Sequence, residues 1–181
     1  MSTRGRWRAL ALLVPIVLAA CGGGGGTVSP TDYVDSVCSH AKTWITDIHQ
    51  GFTQLQSAVR PGTSPQKGKE LLRSFFGRTI SDTDTMISGI RDTGAPAISN
   101  GRSLASALLS ALGRARSALA NAAKLVEALP TSSRAAFQQA ANTLGTRVEA
   151  NMGQIGKAIS GLHSPQLERA AKQAPACRGV A

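Results

Sequence analysis

Three cysteines, three histidines, ten carboxylates and scattered serines are the groups in this 181-residue chain that suit metal binding, covalent modification or proton transfer. Nucleophilic catalysis needs a nucleophile, a base and a group that orients the base. No serine here sits in a Gly-x-Ser-x-Gly turn. His40 and His49 are nine residues apart, about half a turn out of phase on a helix, so they face opposite sides. His163 falls at a helix end. Exposed or capping roles fit all three. Asp82 and Asp84 form an Asp-x-Asp whose side chains point about 200° apart on a helix and cannot share an ion there. Calcium asks for about six to eight oxygens, and zinc for about four ligands. No histidine has ligand spacing to a cysteine. Paired-carboxylate hydrolysis needs two facing acids in a cleft, and the acids here are dispersed. Gly22 to Gly26 is not a phosphate loop, because no lysine or strand-to-helix context follows it. The expectation is a protein without catalytic residues, metal or cofactor.

Cysteine is the informative residue type. Cys21 follows Leu18-Ala19-Ala20, which closes a start carrying Arg4, Arg6 and Arg8 and an apolar run from Ala9. That run of about twelve residues is short of the roughly twenty that span a bilayer as a helix. A basic n-region, a short apolar region and a small-residue cleavage site read as a secretory signal. The stretch resembles the lipobox of bacterial lipoprotein precursors, with leucine three positions before cysteine and a small pair between. In that family the cysteine takes a diacylglyceryl thioether, an anchor of the palmitate class, and becomes the mature N-terminus. The resemblance implies that residues 1–20 are removed and that Cys21 holds the protein on the extracytoplasmic face of the cell membrane. An ordinary signal peptide cut elsewhere, with Cys21 a plain thiol, is the alternative.

Lipidation takes Cys21 out of the thiol count and leaves Cys38 and Cys177. In an exported chain the simplest reading of two cysteines is one disulfide; two buried free thiols are the other. About 160 residues remain after the signal, enough for one domain with a core. They carry seventeen basic and ten acidic side chains, a balance of +7. Outside the membrane, nucleic acid is not the expected target. Anionic headgroups or phosphate-bearing wall polymers suit the charge better. Solvated charge that keeps an alanine-rich bundle soluble is the plainer account.

The elements that position these residues are helices. Gly22–Gly26 and Thr27-Val28-Ser29-Pro30 read as a flexible tether over 21–30. From residue 31 the apolar residues recur at alternating spacings of about four and three, as on one helix stripe. Val34, Cys38, Ala41, Ile45, Ile48, Phe52, Leu55 and Val59 form the first stripe, up to Pro61-Gly62. Ser64-Pro65 opens a second helix, the weakest, whose low propensity near Ser81–Thr85 leaves both an unbroken helix and a break open. Gly94-Ala95-Pro96 ends it. A third stripe runs from Ile98 to Leu129. Thr131 can cap the fourth, whose Gly145, Gly153, Gly156 and Gly161 imply close packing to offset their cost in a helix. Ser164-Pro165 opens a short fifth helix that ends near Pro175. No strand pattern is present. Short links make sequential helices antiparallel. The fold class is therefore all-α: an up-down-up-down four-helix bundle over 31–181, with a short C-terminal fifth helix and one disulfide. In that topology the fourth helix ends where the first begins, so Cys38 and Cys177 can meet.

The layout resembles small secreted lipoproteins of actinobacteria whose function is not established. The likeness rests on Val37-Cys38 followed by Trp44, on Gly94-Ala95-Pro96 with Gly101, on Leu129-Pro130, and on Ser164-Pro165-Gln166-Leu167 with Pro175-Ala176-Cys177. It implies an envelope-anchored helical domain and carries no catalytic residues to transfer.

Two binding features follow from the helices. Trp44 and Phe52 share a face of the first helix, where they pack in the core or line a site for an apolar ligand. The end of the bundle away from the tether carries Arg60, Lys67, Lys69, Arg73, Lys124 and Arg134 against Glu70 and Glu127, a local balance of +4. This distal tip is expected to meet anionic envelope polymer or an envelope protein. The function expected is a non-enzymatic, lipid-anchored accessory or interaction domain, with a module for an apolar ligand as the alternative.

Overall fold

Three helices start on a Ser-Pro pair, and in each the serine caps the first turn. Ser29, Ser64 and Ser164 accept the amide of the residue three positions on, at 3.1, 3.2 and 3.4 Å. Proline then fills the first helical position, where its missing N–H costs nothing. The computed structural model describes residues 26–179. The signal segment, Cys21 and Gly22–Gly25 lie outside the described residues. The helices are α1 (Pro30–Ala58), α2 (Pro65–Thr93), α3 (Gly101–Glu127), α4 (Arg134–Ser160) and α5 (Pro165–Gln173), followed by a 3-10 turn at Pro175–Cys177. Sequential long helices pack side by side as an up-down-up-down bundle, and α5 and the 3-10 turn fold back on α1.

Several local expectations change. Thr27–Val28 (β1) pairs in parallel with Ala95–Pro96 (β2), so these residues and the Ser29-Pro30 cap belong to the domain rather than to a tether. Both β1 residues are β-branched and suit an extended backbone. The contact explains two glycines. Gly94 has φ +85°, and a Cβ there would lie 2.4 Å from the Gly26 carbonyl. Gly101 sits so close to the Pro96 carbonyl that a Cβ would fall at 1.9 Å. Ile98 lies in the bend before α3, not on its stripe, and Ser133 rather than Thr131 caps α4.

Helix α2 runs unbroken through Ser81–Thr85. Thr79 and Thr83 face inward and return their hydroxyls to the helix: Thr79 donates to the Phe75 carbonyl at 3.0 Å and Thr83 to the Thr79 carbonyl at 2.7 Å. Thr83, 0% exposed, also accepts the indole N–H of Trp44 at 2.9 Å. A threonine can therefore be a core residue here. Thr83→Val keeps the shape but leaves the indole N–H without that partner. Stability is expected to fall by about 2 kcal/mol, read by chemical denaturation, whereas an unchanged midpoint would show that the indole finds another acceptor.

The core is divided along the bundle. In the distal half Phe76, Leu119, Ala122, Val126, Leu129 and Leu144 pack together, from α2, α3, the α3–α4 link and α4. In the other half Met86, Ile87, Ile90 and Leu112 form a cluster joined by Val37 and Trp44 of α1 and by Ile159 of α4. Tyr33, Ala95 and Ala105 form a third cluster, which Val28 and Leu167 cover. Helices α1 and α4 scarcely approach each other. The far end of the α1 stripe is consequently uncovered, with Phe52 48% and Val59 51% exposed. The α4 glycines do not mediate close packing: a Cβ at Gly145, Gly153 or Gly156 would meet nothing within 4 Å.

Candidate functional site

Cys38 and Cys177 form a disulfide with a Cα–Cα distance of 5.0 Å. The 3-10 turn brings Cys177 to the first third of α1, and Asp35 holds that turn by accepting the Ala176 amide at 2.8 Å. The disulfide, the paired strands, the start of α1 and the end of α4 share one end of the bundle, here the proximal end.

At the distal end the six basic residues do not act alike. Lys67 pairs with Glu70 at 3.1 Å, and Arg73 grips Glu127 with two bonds of 2.6 Å. The hydrogen bonds from Arg73 hold the Glu127 carboxyl below its ordinary range. Lys69 joins the same cluster through the Glu127 carbonyl and carboxylate. Three of the six cations therefore have acidic partners, with two carboxylates between them. Arg60, Lys124 and Arg134 have no carboxylate partner among the described residues. Arg134 donates to the Gly62 carbonyl at 3.3 Å.

Arg60 and Arg134 flank an apolar cleft of about 230 Å³ between the end of α1 and the starts of α2 and α4. Leu55, Val59, Leu72, Phe137 and Ala141 line it. Gly68 makes this possible, since a side chain there would strike the Phe137 ring, with its Cβ at 2.8 Å. An apolar floor beside two unpaired guanidinium groups can hold a group that is both apolar and anionic. The cleft lining holds two hydroxyls, Thr63 and Ser64, and Ser64 is engaged as the cap of α2. Sequence reasoning placed the cations and the apolar site separately. Their meeting depends on the α2–α4 register, for which the stripe carries no signal.

Trp44 and Phe52 do not share a site. Trp44 spends its N–H on Thr83, while Phe52 leans on Phe75 edge-to-face at 6.4 Å and faces solvent. Asp82 and Asp84 separate as the helix requires. Asp84 receives Arg116 at 3.0 and 3.1 Å. Burial, and then Asp47 nearby, push the Asp82 carboxyl up. The His40 ring lies against Gly89, and His163 is 3.6 Å from Glu168 on the surface. Among the described residues no group of three His, Cys, Asp or Glu is placed to hold a metal ion. No described helix is long and apolar enough to cross a membrane.

The fold and site together define a disulfide-closed, all-α bundle with a cationic apolar cleft at one end. No family model, curated protein sequence or solved structure matches the chain.

Proposed function

We propose that this protein is a lipid-anchored, non-enzymatic accessory of the cell envelope, of the kind found among small actinobacterial lipoproteins. The lipid on Cys21 would hold it to the extracytoplasmic face of the cell membrane, and its distal tip would meet an anionic partner there, envelope polymer or protein. The observation that carries this reading is the pair Arg60 and Arg134, unpaired with acids and set beside an apolar cleft at the end opposite the entry of the chain. Unpaired surface cations contribute to association and its salt dependence more than paired ones do.

Lys67 and Lys69 have acidic partners, so the two arginines are the residues to change. Arg60→Glu with Arg134→Glu is expected to lower retention on isolated cell wall by about tenfold at low salt. The wild-type protein should lose the same binding as salt rises. Lys67→Glu should have a smaller effect. Retention that ignores both salt and the arginine changes would sink the proposal. Mass spectrometry of the mature N-terminus tests the anchor separately.

A further inference from the structure

Arg91 and Arg102 line one open groove of about 440 Å³ at the proximal end. Arg91 comes from the last turn of α2 and Arg102 from the first turn of α3. Ser106 and Ser110 add exposed hydroxyls from the same side of α3, and no carboxylate lines the groove. Other arginines of the bundle are spent on acids: Arg73 and Arg116 each grip a carboxylate with two bonds. Arg91 and Arg102 have no carboxylate partner among the described residues. Arg102 also stands against the dipole of α3, in a first turn that holds no acid and has no side-chain cap. Two exposed guanidinium groups beside two hydroxyls suit a phosphate, which arginine binds through paired N–H bonds.

Position points to the source of that phosphate. The Gly26 carbonyl accepts the Ala95 amide at 3.2 Å, and a Cβ on Gly94 would strike the same carbonyl. Gly94 and Ala95 line the groove, so the chain enters the domain beside it. Cys21 is five residues before Gly26, and their separation is at most about 18 Å. A lipid on Cys21 keeps the groove near the headgroup layer, where the local concentration of phosphodiesters is high. The Arg60–Arg134 cleft is at the other end of α2, about 40 Å away along 29 residues.

We propose that the groove between Arg91 and Arg102 binds the phosphodiester headgroup of an anionic membrane phospholipid. The inference rests on the lipid-anchor reading above. The covalent lipid brings the domain to the membrane, and the groove fixes which way it faces. The α2–α3 link then lies on the bilayer, and the Arg60–Arg134 cleft is presented outward.

The experiment uses the mature protein with Cys21→Ala, so that the groove alone reports binding. It is sedimented with vesicles of phosphatidylcholine, with or without phosphatidylglycerol. Binding is expected only with phosphatidylglycerol, and it should weaken as salt rises. Arg91→Gln with Arg102→Gln should weaken it at least about tenfold, from about fivefold per arginine. Arg114→Gln with Arg147→Gln removes the same charge from mid-helix positions, Arg114 lying about 18 Å beyond Arg102 on α3. That pair should change binding by less than about twofold. Equal losses from the two pairs would overturn the inference, showing that net charge alone attracts the membrane. Absence of binding at low salt would overturn it too. Glycerol 3-phosphate in solution should bind at least about tenfold more weakly than the vesicles, which crowd many headgroups at the groove. Equally tight binding of the soluble compound would remove the membrane as the source. Loss of retention on lipid-free cell wall in Arg91→Gln/Arg102→Gln, with vesicle binding intact, would assign the groove to wall polymer instead. A mature protein with no lipid on Cys21, read by mass spectrometry, would overturn the lipid-anchor reading, and the vesicle result would still decide what the groove binds.

Discussion

Reduction of the Cys38–Cys177 bridge is expected to lower stability by roughly 5 kcal/mol. The bridged residues are 139 positions apart. The chain-entropy model gives that figure for so long a loop, with strain and residual structure acting to reduce it. For a domain of this size the loss corresponds to a fall in melting temperature of about 10–20 °C. The fold gives a second reason for a large effect. Helix α4 is bound chiefly to α3, and α1 meets the C-terminal part of the chain through α5 and the 3-10 turn. The bridge therefore reinforces the one route, through α5 and the 3-10 turn, by which the C-terminal part of the chain is held to α1. Reduction should free α5 and the 3-10 turn first, and with them the contact between Asp35 and the Ala176 amide. Calorimetry with and without reductant, alongside Cys38→Ser/Cys177→Ser, measures the total. Hydrogen exchange should show protection lost in Pro165–Cys177 before the α2–α3 core. An unmoved melting temperature, or two free thiols by alkylation mass in the oxidised protein, would contradict the expectation.

The second large effect has the opposite sign. Gly145, Gly153 and Gly156 lie within α4, and a Cβ at each would enter open space. Glycine in a helix interior costs up to about 1 kcal/mol relative to alanine, mostly through the freedom it restores to the unfolded chain. The triple change to alanine is therefore expected to stabilise the protein by roughly 2–3 kcal/mol, because each added Cβ enters open space and meets no neighbour. Gly101→Ala is the control. Its Cβ would fall on the Pro96 carbonyl, a backbone atom that cannot move without disturbing β2. A loss there beside a gain in α4 would show that the contrast lies in local space rather than in glycine content. A triple variant no more stable than the wild type would mean that the glycines serve a contact outside the chain.

The legible part of this fold was local. Periodic apolar spacing marks all five helices, and Ser64-Pro65 and Ser164-Pro165 mark two starts to the residue. The missed start, Ser29-Pro30, has the same signature but follows a glycine run that reads as tether. The stretch Ser81–Thr85, which the sequence leaves open, is undecided for a related reason. Helix propensity counts threonine as a weak former, while Thr79 and Thr83 are buried and return their hydroxyls to the preceding turn.

The candidate site divides along the same line. The excess of basic residues near both distal links can be counted in the sequence, and the cysteine pair follows from the compartment that the N-terminus implies. Which cations are free cannot be counted, because Glu127 is 54 residues from Arg73 and joins it only when α2 and α3 pack. The sequence by itself determined the helices, their antiparallel order and the end at which the two cysteines meet, since these depend on residues near in the chain and on short links. Tertiary structure alone decided that α1 and α4 stay apart, that the Tyr33 hydroxyl has no hydrogen-bond partner among the described residues, and that Arg60 and Arg134 share an apolar cleft. Those outcomes rest on how far helix axes separate and how they register, and a periodic stripe fixes neither.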